Sequence, residues 1–344
     1  MIKKAIAKLV ERQNLTEAEA QTAMNQIMAG EATNAQIGAF LAAMRLKGET
    51  VPELVGCARA MRASAVKVVC QQSDLVDTCG TGGDGTGTFN VSTMVALVAA
   101  GAGLTVAKHG NRSVSSQCGS ADLLEALGVN LELGPEEIAR CIDTVGIGFL
   151  FAQRLHPAMK NVALPRRELG IRTIFNVLGP LTNPASASIQ LLGVYSPALT
   201  EPLAQVLRTL GTKRALVVHG HDGLDELSTT GINKITRLSN GEISTFYLDP
   251  TSLGLSPATL DDLKGGPVQE NVQITMGMLL RGEKGPRRDI VLLNAAAIMV
   301  AAGKATDFAS GLALANESLD SGQALKKLEG LIRLSQRLAV KRAG

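Results

Sequence analysis

Residues 77–93 read DTCGTGGDGTGTFNVST, and this segment decides the fold class. Five glycines fall within residues 80–87, between an apolar run at 75–78 that predicts a buried strand and a stretch at 92–102 that predicts a helix. Glycine permits positive φ and lets a ligand approach the backbone closely. The free N–H groups at a helix start suit a phosphate, and Asn90, Ser92 and Thr93 add polar side chains there. The segment therefore predicts a phosphate-binding strand–loop–helix unit of an α/β fold.

The spacing Gly80-x-Gly82-x-x-Gly85 also matches the fingerprint of dinucleotide-binding domains. Such a domain requires an acidic residue about 20 positions later to hold a ribose, whereas no Asp or Glu occurs from position 85 to position 121. The sequence therefore disfavours a nicotinamide-dependent dehydrogenase. A glycine-rich turn with a purely structural role stays open as an alternative.

Short apolar runs alternate with helical patterns beyond this segment, which predicts a largely parallel sheet flanked by helices. The predicted strands are 75–78, 104–107, 147–151, 189–195 and 215–219, and the predicted helices between them are 92–102, 120–127, 135–145 and 201–210. Asn240-Gly241 predicts a hairpin turn between 234–238 and 242–248. Helices are predicted at 270–281, 287–302, 307–319 and 325–338.

The first 65 residues show a different pattern of consecutive short helices. Thr16 and Glu19 predict a capping box, in which each side chain satisfies a backbone donor of the other residue. Thr33 and the stretch at 50–53 predict two further helix starts. This part of the chain is therefore predicted to form a small helical unit whose apolar stripes pack on another surface.

Composition limits the function classes. A chain of 344 residues suggests about two domains, and 45% apolar with 19% charged residues excludes disorder. The net charge of +3 and the 3% aromatic content disfavour a nucleic-acid or membrane partner. No apolar stretch is long enough to span a bilayer. Five cysteines without a C-x-x-C pair predict reduced thiols and a cytoplasmic protein, not a disulfide framework or a zinc site.

The basic segment KHGNR at 108–112 follows the predicted strand 104–107. Ligands of α/β proteins bind at the carboxyl ends of the strands, and Lys and Arg side chains suit a polyanion. Lys108 and Arg112 are therefore predicted to contact an anionic ligand. The segment after them, which leads to the next predicted helix, is rich in hydroxyl groups and includes Ser115 and Ser116. The alternative is a solvated basic turn.

The acidic pair Asp225-Glu226 follows the predicted strand 215–219. Adjacent carboxylates bind Mg²⁺ together with phosphate-rich ligands, and the hydroxyl of Ser92 is a further candidate ligand. Two alternatives stay open, namely solvated acids at a helix start, and a zinc or iron cluster with His219 and His221.

The chain resembles the anthranilate phosphoribosyltransferase family over essentially its whole length. The resemblance rests on many segments in the family's order and spacing, not on one motif. They are GTGGD at 80–84, NVST at 90–93, KHGNR at 108–112, SSQCGSADLLEALG at 115–128, HPAM at 156–159, RRELGIRTIFN at 166–176, GPLTNP at 179–184 and DELS at 225–228.

The resemblance implies a fold and a reaction. The fold has a small all-helical domain, 1–65 with a returning segment at about 165–185, and a larger α/β domain with a mainly parallel central sheet, 70–160 and 190–344. The α/β domain binds phosphoribosyl pyrophosphate (PRPP), and members form homodimers through the helical domain. The reaction moves the 5-phosphoribosyl group of PRPP to the amine of anthranilate, giving N-(5-phosphoribosyl)anthranilate and pyrophosphate, the second step of tryptophan synthesis from chorismate.

The resemblance also implies the site residues. The PRPP contacts are Gly80, Gly82, Gly83, Asp84, Thr88, Asn90, Ser92, Thr93, Lys108 and Ser120. The anthranilate contacts are Gly80, Asn111, Arg166, His109, His156 and Pro180. Ser92, Asp225 and Glu226 correspond to ligands of Mg²⁺, with two ions per monomer. No covalent nucleophile is expected; Lys108, Asn111 and Arg166 are expected to position the reactants.

Two other functions compete with this one. A pyrimidine nucleoside phosphorylase shares the architecture, but its chains are usually longer and it would not need the pair Asp225-Glu226. A non-catalytic relative that binds nucleic acid is disfavoured by the near-neutral charge.

Overall fold

The computed structural model describes residues 1–113 and 117–343, with side chains through residue 339. Ser115 and Ser116, which belong to the predicted hydroxyl-rich segment, lie outside the described residues. No helix in these ranges is both long and apolar enough to cross a membrane.

Four helices form the N-terminal part of the chain. They are α1 (Ile2–Val10), α2 (Glu17–Met28), α3 (Asn34–Lys47) and α4 (Val51–Ser64). The predicted capping box at the start of α2 is confirmed, because the Thr16 side chain accepts from the Glu19 amide while Glu19 accepts from the Thr16 amide. The buried Glu53 carboxylate accepts from the Leu15 amide at 2.9 Å and pairs with Lys47 at 2.8 Å, which ties α4 to the loop before α2.

A seven-stranded sheet forms the centre of the α/β part, in the order β3-β2-β1-β4-β5-β6-β7. The first five of these strands run parallel, and β6 and β7 are antiparallel. The strands are β1 (Val76–Gly80), β2 (Val106–Gly110), β3 (Ile147–Phe151), β4 (Ile189–Gly193), β5 (Arg214–His219), β6 (Asn233–Ser239) and β7 (Glu242–Leu248). The predicted mainly parallel sheet and the hairpin at Asn240-Gly241 are both confirmed.

Eleven further helices surround this sheet in the described part of the chain. They are α5 (Val91–Gly101), α6 (Ser120–Ala126), α7 (Pro135–Val145), α8 (Ala152–Leu155), α9 (Lys160–Leu169), α10 (Phe175–Leu178), α11 (Thr200–Thr209), α12 (Val268–Arg281), α13 (Pro286–Ala302), α14 (Phe308–Asp320) and α15 (Gln323–Ala343). Each predicted helix is present, with ends that differ from the prediction by a few residues at most.

Two apolar cores lie on the two faces of the sheet. One consists largely of α5, α7, α13, α14 and α15 packed on one face of strands β1 to β5. The other joins the four N-terminal helices to α11 and to buried residues of the segment 160–182, among them Val162, Phe175 and Leu181. Because α9 packs on α3 and α2, this segment returns to the N-terminal helices before the chain re-enters the sheet at β4.

The strand order places a topological switch point between β1 and β4. The chain leaves β1 towards β2 and leaves β4 towards β5, although β1 and β4 are direct neighbours with Gly80 opposite Gly193. Loops that depart in opposite directions open a crevice at the carboxyl ends of the strands, which is where open α/β sheets bind ligands. The glycine loop begins in this crevice.

Candidate active site

The glycine loop between β1 and α5 has the backbone that its sequence predicts. Gly82, Gly83, Gly85 and Gly87 have φ values of 66°, 70°, 77° and 70°, which other residues adopt only with strain. Gly80 is required for a different reason, because a β-carbon on it would lie 2.2 Å from Oδ2 of Asp225. The loop is therefore built to turn sharply beside an acidic side chain.

Asp225 is the partner that holds the start of this loop. Its Oδ2 accepts a hydrogen bond from the Gly82 amide at 2.6 Å. Asp84 closes the next turn, since its Oδ1 accepts from the Thr86 amide at 3.1 Å and its Oδ2 lies 3.5 Å from the Asp225 amide nitrogen. The glycine loop and the acidic pair, far apart in sequence, thus form one cluster.

The acidic pair is not a solvated turn. Asp225 is buried, and burial together with the nearby Asp84 raises the pKa of its carboxyl to about 7. Burial and the charge of Asp225 also raise the pKa of Glu226 well above its ordinary value, while Lys108 and the Ser92 amide act in the opposite direction. This arrangement contradicts the solvated alternative and concentrates negative charge beside the loop.

The donor set fits a magnesium ion that is shared with a ligand. In the described ranges no three His, Cys, Asp or Glu side chains are grouped so that they could hold a metal by themselves. Mg²⁺ does not need such a cage, because it binds through one or two carboxylates, waters and substrate phosphates. Asp225 and Glu226 would supply the carboxylates. Burial raises the pKa values of both groups, and repulsion among Asp84, Asp225 and Glu226 adds to this effect, so a cation nearby would be favoured.

Lys108 lies on β2 with its side chain buried in the same cluster. Its ammonium group donates to the Thr78 carbonyl at 2.7 Å and lies 3.4 Å from the Ser92 hydroxyl. Because Lys108 also acts on the pKa of Glu226, it is close to the acidic pair. The prediction that Lys108 faces the anionic site is consistent with this position.

Arg112 has acidic partners within the protein. Its guanidinium pairs with Asp122 at 2.9 Å and with both carboxylate oxygens of Glu125, at 2.7 and 3.0 Å, and it lies over the Phe151 ring. The charge that was predicted for a polyanion is therefore neutralised within the protein. Both acids belong to α6 and lie 10 and 13 residues beyond Arg112 in the chain, and the contact of Arg112 with an anionic ligand stays a prediction.

The start of α5 brings the remaining polar residues together. Asn90 precedes the helix and donates from Nδ2 to the Cys118 carbonyl at 3.0 Å, which links the glycine loop to the segment after β2. Its Oδ1 and the Thr93 hydroxyl are buried polar atoms without a hydrogen-bond partner in the described residues. Unsatisfied buried polar atoms are costly, so their clustering here favours a polar ligand.

Other predicted residues border this region. The Ser120 hydroxyl donates to the Asn111 carbonyl at 3.3 Å, and Asn111 itself is exposed. Thr88 pairs with Lys264 across an isolated bridge.

His109 and His156 form a buried pair of imidazoles, with ring centroids 5.2 Å apart. Burial lowers the pKa of His109 to about 3, with His156 and Lys108 adding to the effect, and burial lowers the pKa of His156 to about 4. Each ring is hydrogen-bonded to a backbone group, of Gly179 for His109 and of Thr182 for His156. The lowered pKa values favour neutral rings at pH 7. The Nε2 atoms of both rings have no hydrogen-bond partner in the described residues.

Arg166 lies on α9 with its guanidinium 5.2 Å from the centroid of the Phe175 ring. Burial lowers the pKa of this group. None of the ion pairs in the described part of the chain involves Arg166, so it is a half-buried cation without a carboxylate. Pro180 is buried on the same returning segment, and its carbonyl accepts from Gln190 at 2.8 Å. Such a guanidinium is suited to bind the carboxylate of a ligand.

Sequence reasoning missed three residues that organise the site, namely Asp77, Asn183 and Arg172. The buried Asp77 accepts from the His109 amide at 3.1 Å and from Asn183 Nδ2 at 2.7 Å, and thereby joins β1, β2 and the returning segment. Arg172 donates to the Gly83 carbonyl. A charged residue inside a predicted buried strand was a usable signal for Asp77, whereas Arg172 carried none.

The cysteines near the site are not nucleophiles. Burial raises the pKa of Cys79 well above its ordinary value, and burial raises that of Cys118 to about 11. Reactive cysteines have a lowered pKa, so these two thiols are structural.

Two family models match this chain. The model described as the a/b domain of the glycosyl transferase family matches residues 72–325, and the model of its helical bundle domain matches residues 3–65. Together they span the four N-terminal helices, apart from the first residue of α1, and the sheet with its helices through α14.

Individual relatives agree with these models. The anthranilate phosphoribosyltransferase of Moorella thermoacetica is 57% identical over 332 residues, 96% of this chain and 98% of that protein. The crystal structure of the Thermus thermophilus enzyme of the same name is similar with a TM-score of 0.92 and 46% identity, over 96% of this chain and 99% of that one. The Saccharomyces cerevisiae enzyme in complex with PRPP and Mg has a TM-score of 0.90 and 29% identity, over 98% of both chains. This chain therefore belongs to the anthranilate phosphoribosyltransferase family.

Proposed function

We propose that this chain transfers the 5-phosphoribosyl group of PRPP to the amine of anthranilate, and that it does so in the crevice between β1 and β4. The observation that carries the proposal is the juxtaposition of two kinds of group. A glycine loop with buried acids and Lys108 suits a magnesium-bound polyphosphate. The returning segment, which reaches the loop through Arg172, also carries the guanidinium of Arg166, which forms no ion pair with any residue that the structure describes. A nucleoside phosphorylase would use the basic loop but would not need the acidic pair.

The PRPP site is proposed to follow the glycine loop and the start of α5. Gly80, Gly82, Gly83 and Asp84 line one side, and the polar atoms at the start of α5 line the other. The unpartnered Oδ1 of Asn90 and hydroxyl of Thr93 support this assignment, because a ribose or phosphate group would satisfy them. The remaining proposed PRPP contacts are Thr88, Ser92, Lys108 and Ser120.

Ser92, Asp225 and Glu226 are proposed to hold Mg²⁺, with two ions per monomer. When bound, Mg²⁺ supplies positive charge that offsets the charge of the leaving pyrophosphate. The protein itself supplies Lys108 and the loop amides for the same purpose. One of these amides, that of Gly82, donates to Asp225 and therefore lies beside the acidic pair.

Bond changes in the reaction explain why these groups are sufficient. The C1–O bond to pyrophosphate breaks, the C1–N bond to anthranilate forms, and the amine nitrogen loses one proton to solvent. Positive charge develops on the ribose and negative charge on the leaving group. An aromatic amine is already unprotonated at neutral pH, so correct placement of the amine and stabilisation of the leaving group are the main requirements.

Anthranilate is proposed to bind with its carboxylate on Arg166 and its ring near Asn111 and Pro180, with Gly80 at the border with PRPP. His109 and His156 lie close to this region through their bonds to Gly179 and Thr182. Because both rings are neutral, they do not compete with Arg166 for the carboxylate. Their free Nε2 atoms are acceptors that suit the N–H groups of the amine.

The domain division, the dimer and the location of the protein are further proposals. We propose that residues 1–65 and about 165–185 form the helical domain, that residues 70–160 and 190–344 form the α/β domain, and that the protein is a cytoplasmic homodimer. The shared core of the N-terminal helices and the returning segment supports the division. Val10 and Leu46, which are 61% and 82% exposed on these helices, provide apolar surface that a second copy would cover.

Product analysis tests the proposal against the phosphorylase alternative. The purified protein with PRPP, anthranilate and Mg²⁺ should release one pyrophosphate for each N-(5-phosphoribosyl)anthranilate formed. The same protein with uridine or thymidine and inorganic phosphate should release no free base. Release of base, without pyrophosphate in the first reaction, would overturn the proposal in favour of the phosphorylase.

A further inference from the structure

Arg172 connects three separate segments beside the glycine loop. It follows α9 on the returning segment, its Nη2 donates to the Gly83 carbonyl, and its guanidinium lies 4.4 Å from the centroid of the Tyr195 ring. Tyr195 follows β4 on the other side of the crevice. One exposed side chain of the segment that carries Arg166 thus contacts both the glycine loop and the residue Tyr195 beyond the end of β4.

Tyr195 is fixed to the loop by an independent route. Its backbone amide donates to the Thr81 hydroxyl at 3.3 Å, and the Thr81 amide donates to the Gly193 carbonyl at 2.9 Å. The ring on which Arg172 stacks is therefore anchored at the base of the loop. Stacking of a guanidinium on an aromatic face restricts its orientation, which keeps the N–H groups directed at the loop.

The Gly82–Gly83 unit is consequently held from both sides. The Gly82 amide donates to Asp225 at 2.6 Å, and the Gly83 carbonyl accepts from Arg172. Both glycines have positive φ, a conformation that glycine itself does not prefer strongly over others. A loop of this kind needs external contacts to keep its amides in one orientation, and Arg172 supplies one of these contacts through the Gly83 carbonyl.

Arg172 has no competing electrostatic role in the described residues. None of the ion pairs there involves it, in contrast to Arg112, whose charge is neutralised by Asp122 and Glu125. A cation next to a phosphate-binding loop without a carboxylate partner also favours the approach of a polyanion.

We propose that Arg172 is a positioning residue for the glycine loop. Through this side chain the returning segment orients the loop amides that receive the pyrophosphate group of the substrate. The inference rests on the proposed function, because it assigns the loop to that substrate. Arg172 acts here on the loop and not on anthranilate, whose carboxylate is assigned to Arg166.

Binding of inorganic pyrophosphate with Mg²⁺, followed by titration calorimetry, tests the inference without turnover. Arg172→Ala should raise the Kd for pyrophosphate and the KM for PRPP by about five- to tenfold, as expected for loss of one charge-assisted hydrogen bond near the surface. The Kd for anthranilate alone should stay within about twofold, and the Tm should be nearly unchanged because the side chain is exposed. Arg172→Lys should recover only part of the affinity, because an ammonium group lacks the planar fork that stacks on Tyr195.

Variants of Tyr195 separate positioning from simple loss of charge. Tyr195→Ala removes the ring and should weaken pyrophosphate binding, whereas Tyr195→Phe keeps the ring and should not. The double variant Arg172→Ala with Tyr195→Ala should have nearly the same Kd for pyrophosphate as Arg172→Ala alone, because the two residues act through one contact. Arg167→Ala is the matched control, since Arg167 is exposed on the same segment and forms no ion pair in the described residues.

The outcomes distinguish two kinds of failure. Wild-type protein that binds neither pyrophosphate nor PRPP would contradict the proposed function itself. Wild-type protein that binds both, with Arg172→Ala binding equally well, would overturn only the role of Arg172. Equal losses of affinity for pyrophosphate and anthranilate, together with a lower Tm, would also overturn it, because that pattern indicates a general structural defect.

Discussion

A β-carbon on Gly193 would lie 1.4 Å from the carbonyl oxygen of Asp225. Gly193 ends β4, and its neighbour on β1 is Gly80, where a β-carbon would lie 2.2 Å from the Asp225 carboxylate. The backbone of Asp225 thus crosses the ends of both strands at the switch point. Two glycines are needed so that the acidic pair can lie directly against the sheet, beside the glycine loop.

Gly193→Ala should therefore impair both stability and activity. A methyl group cannot occupy this space unless the Asp225 backbone moves, and overpacking of this kind costs about 1–3 kcal/mol. Displacement of a positioning group by about 1 Å can reduce turnover about 10²-fold. Urea unfolding and kcat measured on the same preparation check both effects.

Gly38→Ala is the matched control for that substitution. Gly38 lies on α3, and apart from its own helical backbone and chain neighbours no atom of the described residues lies within 4 Å of the position that a β-carbon would take. Alanine in a helix is more stable than glycine by roughly 0.5–1 kcal/mol. A free energy of unfolding in Gly193→Ala equal to that of wild type would contradict the steric explanation. So would a loss of stability in Gly38→Ala as large as the loss in Gly193→Ala.

Arg166→Ala should weaken anthranilate binding selectively. A hydrogen-bonded charge pair contributes about 1.5–3 kcal/mol, so the KM for anthranilate should rise about 10- to 100-fold while the KM for PRPP changes little. Arg166→Lys should give an intermediate value because lysine cannot bind a carboxylate through two N–H groups. Steady-state kinetics with each substrate varied in turn provide the measurement, and an unchanged KM for anthranilate would refute the assignment.

The acidic pair should make stability depend on pH when no divalent cation is present. The pKa values of Asp225 and Glu226 are raised, so the folded protein holds protons that the unfolded chain releases. The stabilisation from this effect is complete below the unfolded pKa of about 4 and is lost as the pH rises through about 7. Substitution by amides, which do not titrate, removes the dependence.

The double variant Asp225→Asn with Glu226→Gln should therefore gain stability relative to wild type as the pH rises from about 5 to about 8 in EDTA. Added Mg²⁺ should raise the Tm of wild type in the presence of pyrophosphate but not that of the variant. Turnover that depends on Mg²⁺ should fall at least about 10²-fold in the variant. A variant with wild-type turnover, or a stability difference that does not change with pH, would exclude the proposed role.

The imidazole pair predicts the opposite pH dependence. The pKa values of His109 and His156 are lowered to about 3 and about 4, so the unfolded chain binds protons that the folded protein excludes. Their stabilisation is present above about pH 6.5 and is lost as the pH falls towards about 4. Between about pH 6.5 and about pH 4, the free energy of unfolding of His156→Gln should therefore fall by about 2 kcal/mol less than that of wild type. Urea unfolding at each pH provides the measurement. Parallel losses in both proteins would show that His156 is not held neutral by the fold.

Local signals in the sequence were enough to predict most of the elements, although α8, α9 and α10 were not predicted. The capping pair Thr16 and Glu19 marks the start of α2, and Pro135 and Gly146 bound α7, with Gly146 at a φ of 87°. The hairpin at Asn240-Gly241 has positive φ at both residues, as this dipeptide favours. Each of these features depends on interactions within a few residues, so a single sequence contains the information.

The relations between elements could not be predicted from local signals. The position of β4 beside β1, which brings Asp225 to Gly80, depends on packing of the whole sheet. The ion pairs of Arg112 with Asp122 and Glu125 were not predicted, because these residues become neighbours only in the folded chain. Arg172 resembles any surface arginine until the fold places it against Gly83. The site residues themselves were identified through the resemblance of their motifs to a family.

The most direct test of the account is the fluorescence of anthranilate after mixing with the purified protein and PRPP. The account predicts that the fluorescence falls when Mg²⁺ is present and stays constant when EDTA replaces it, because the amine is consumed only when the acidic pair can hold the metal and pyrophosphate together. No loss of fluorescence with Mg²⁺, from a folded protein and PRPP that a known phosphoribosyltransferase consumes, would contradict it.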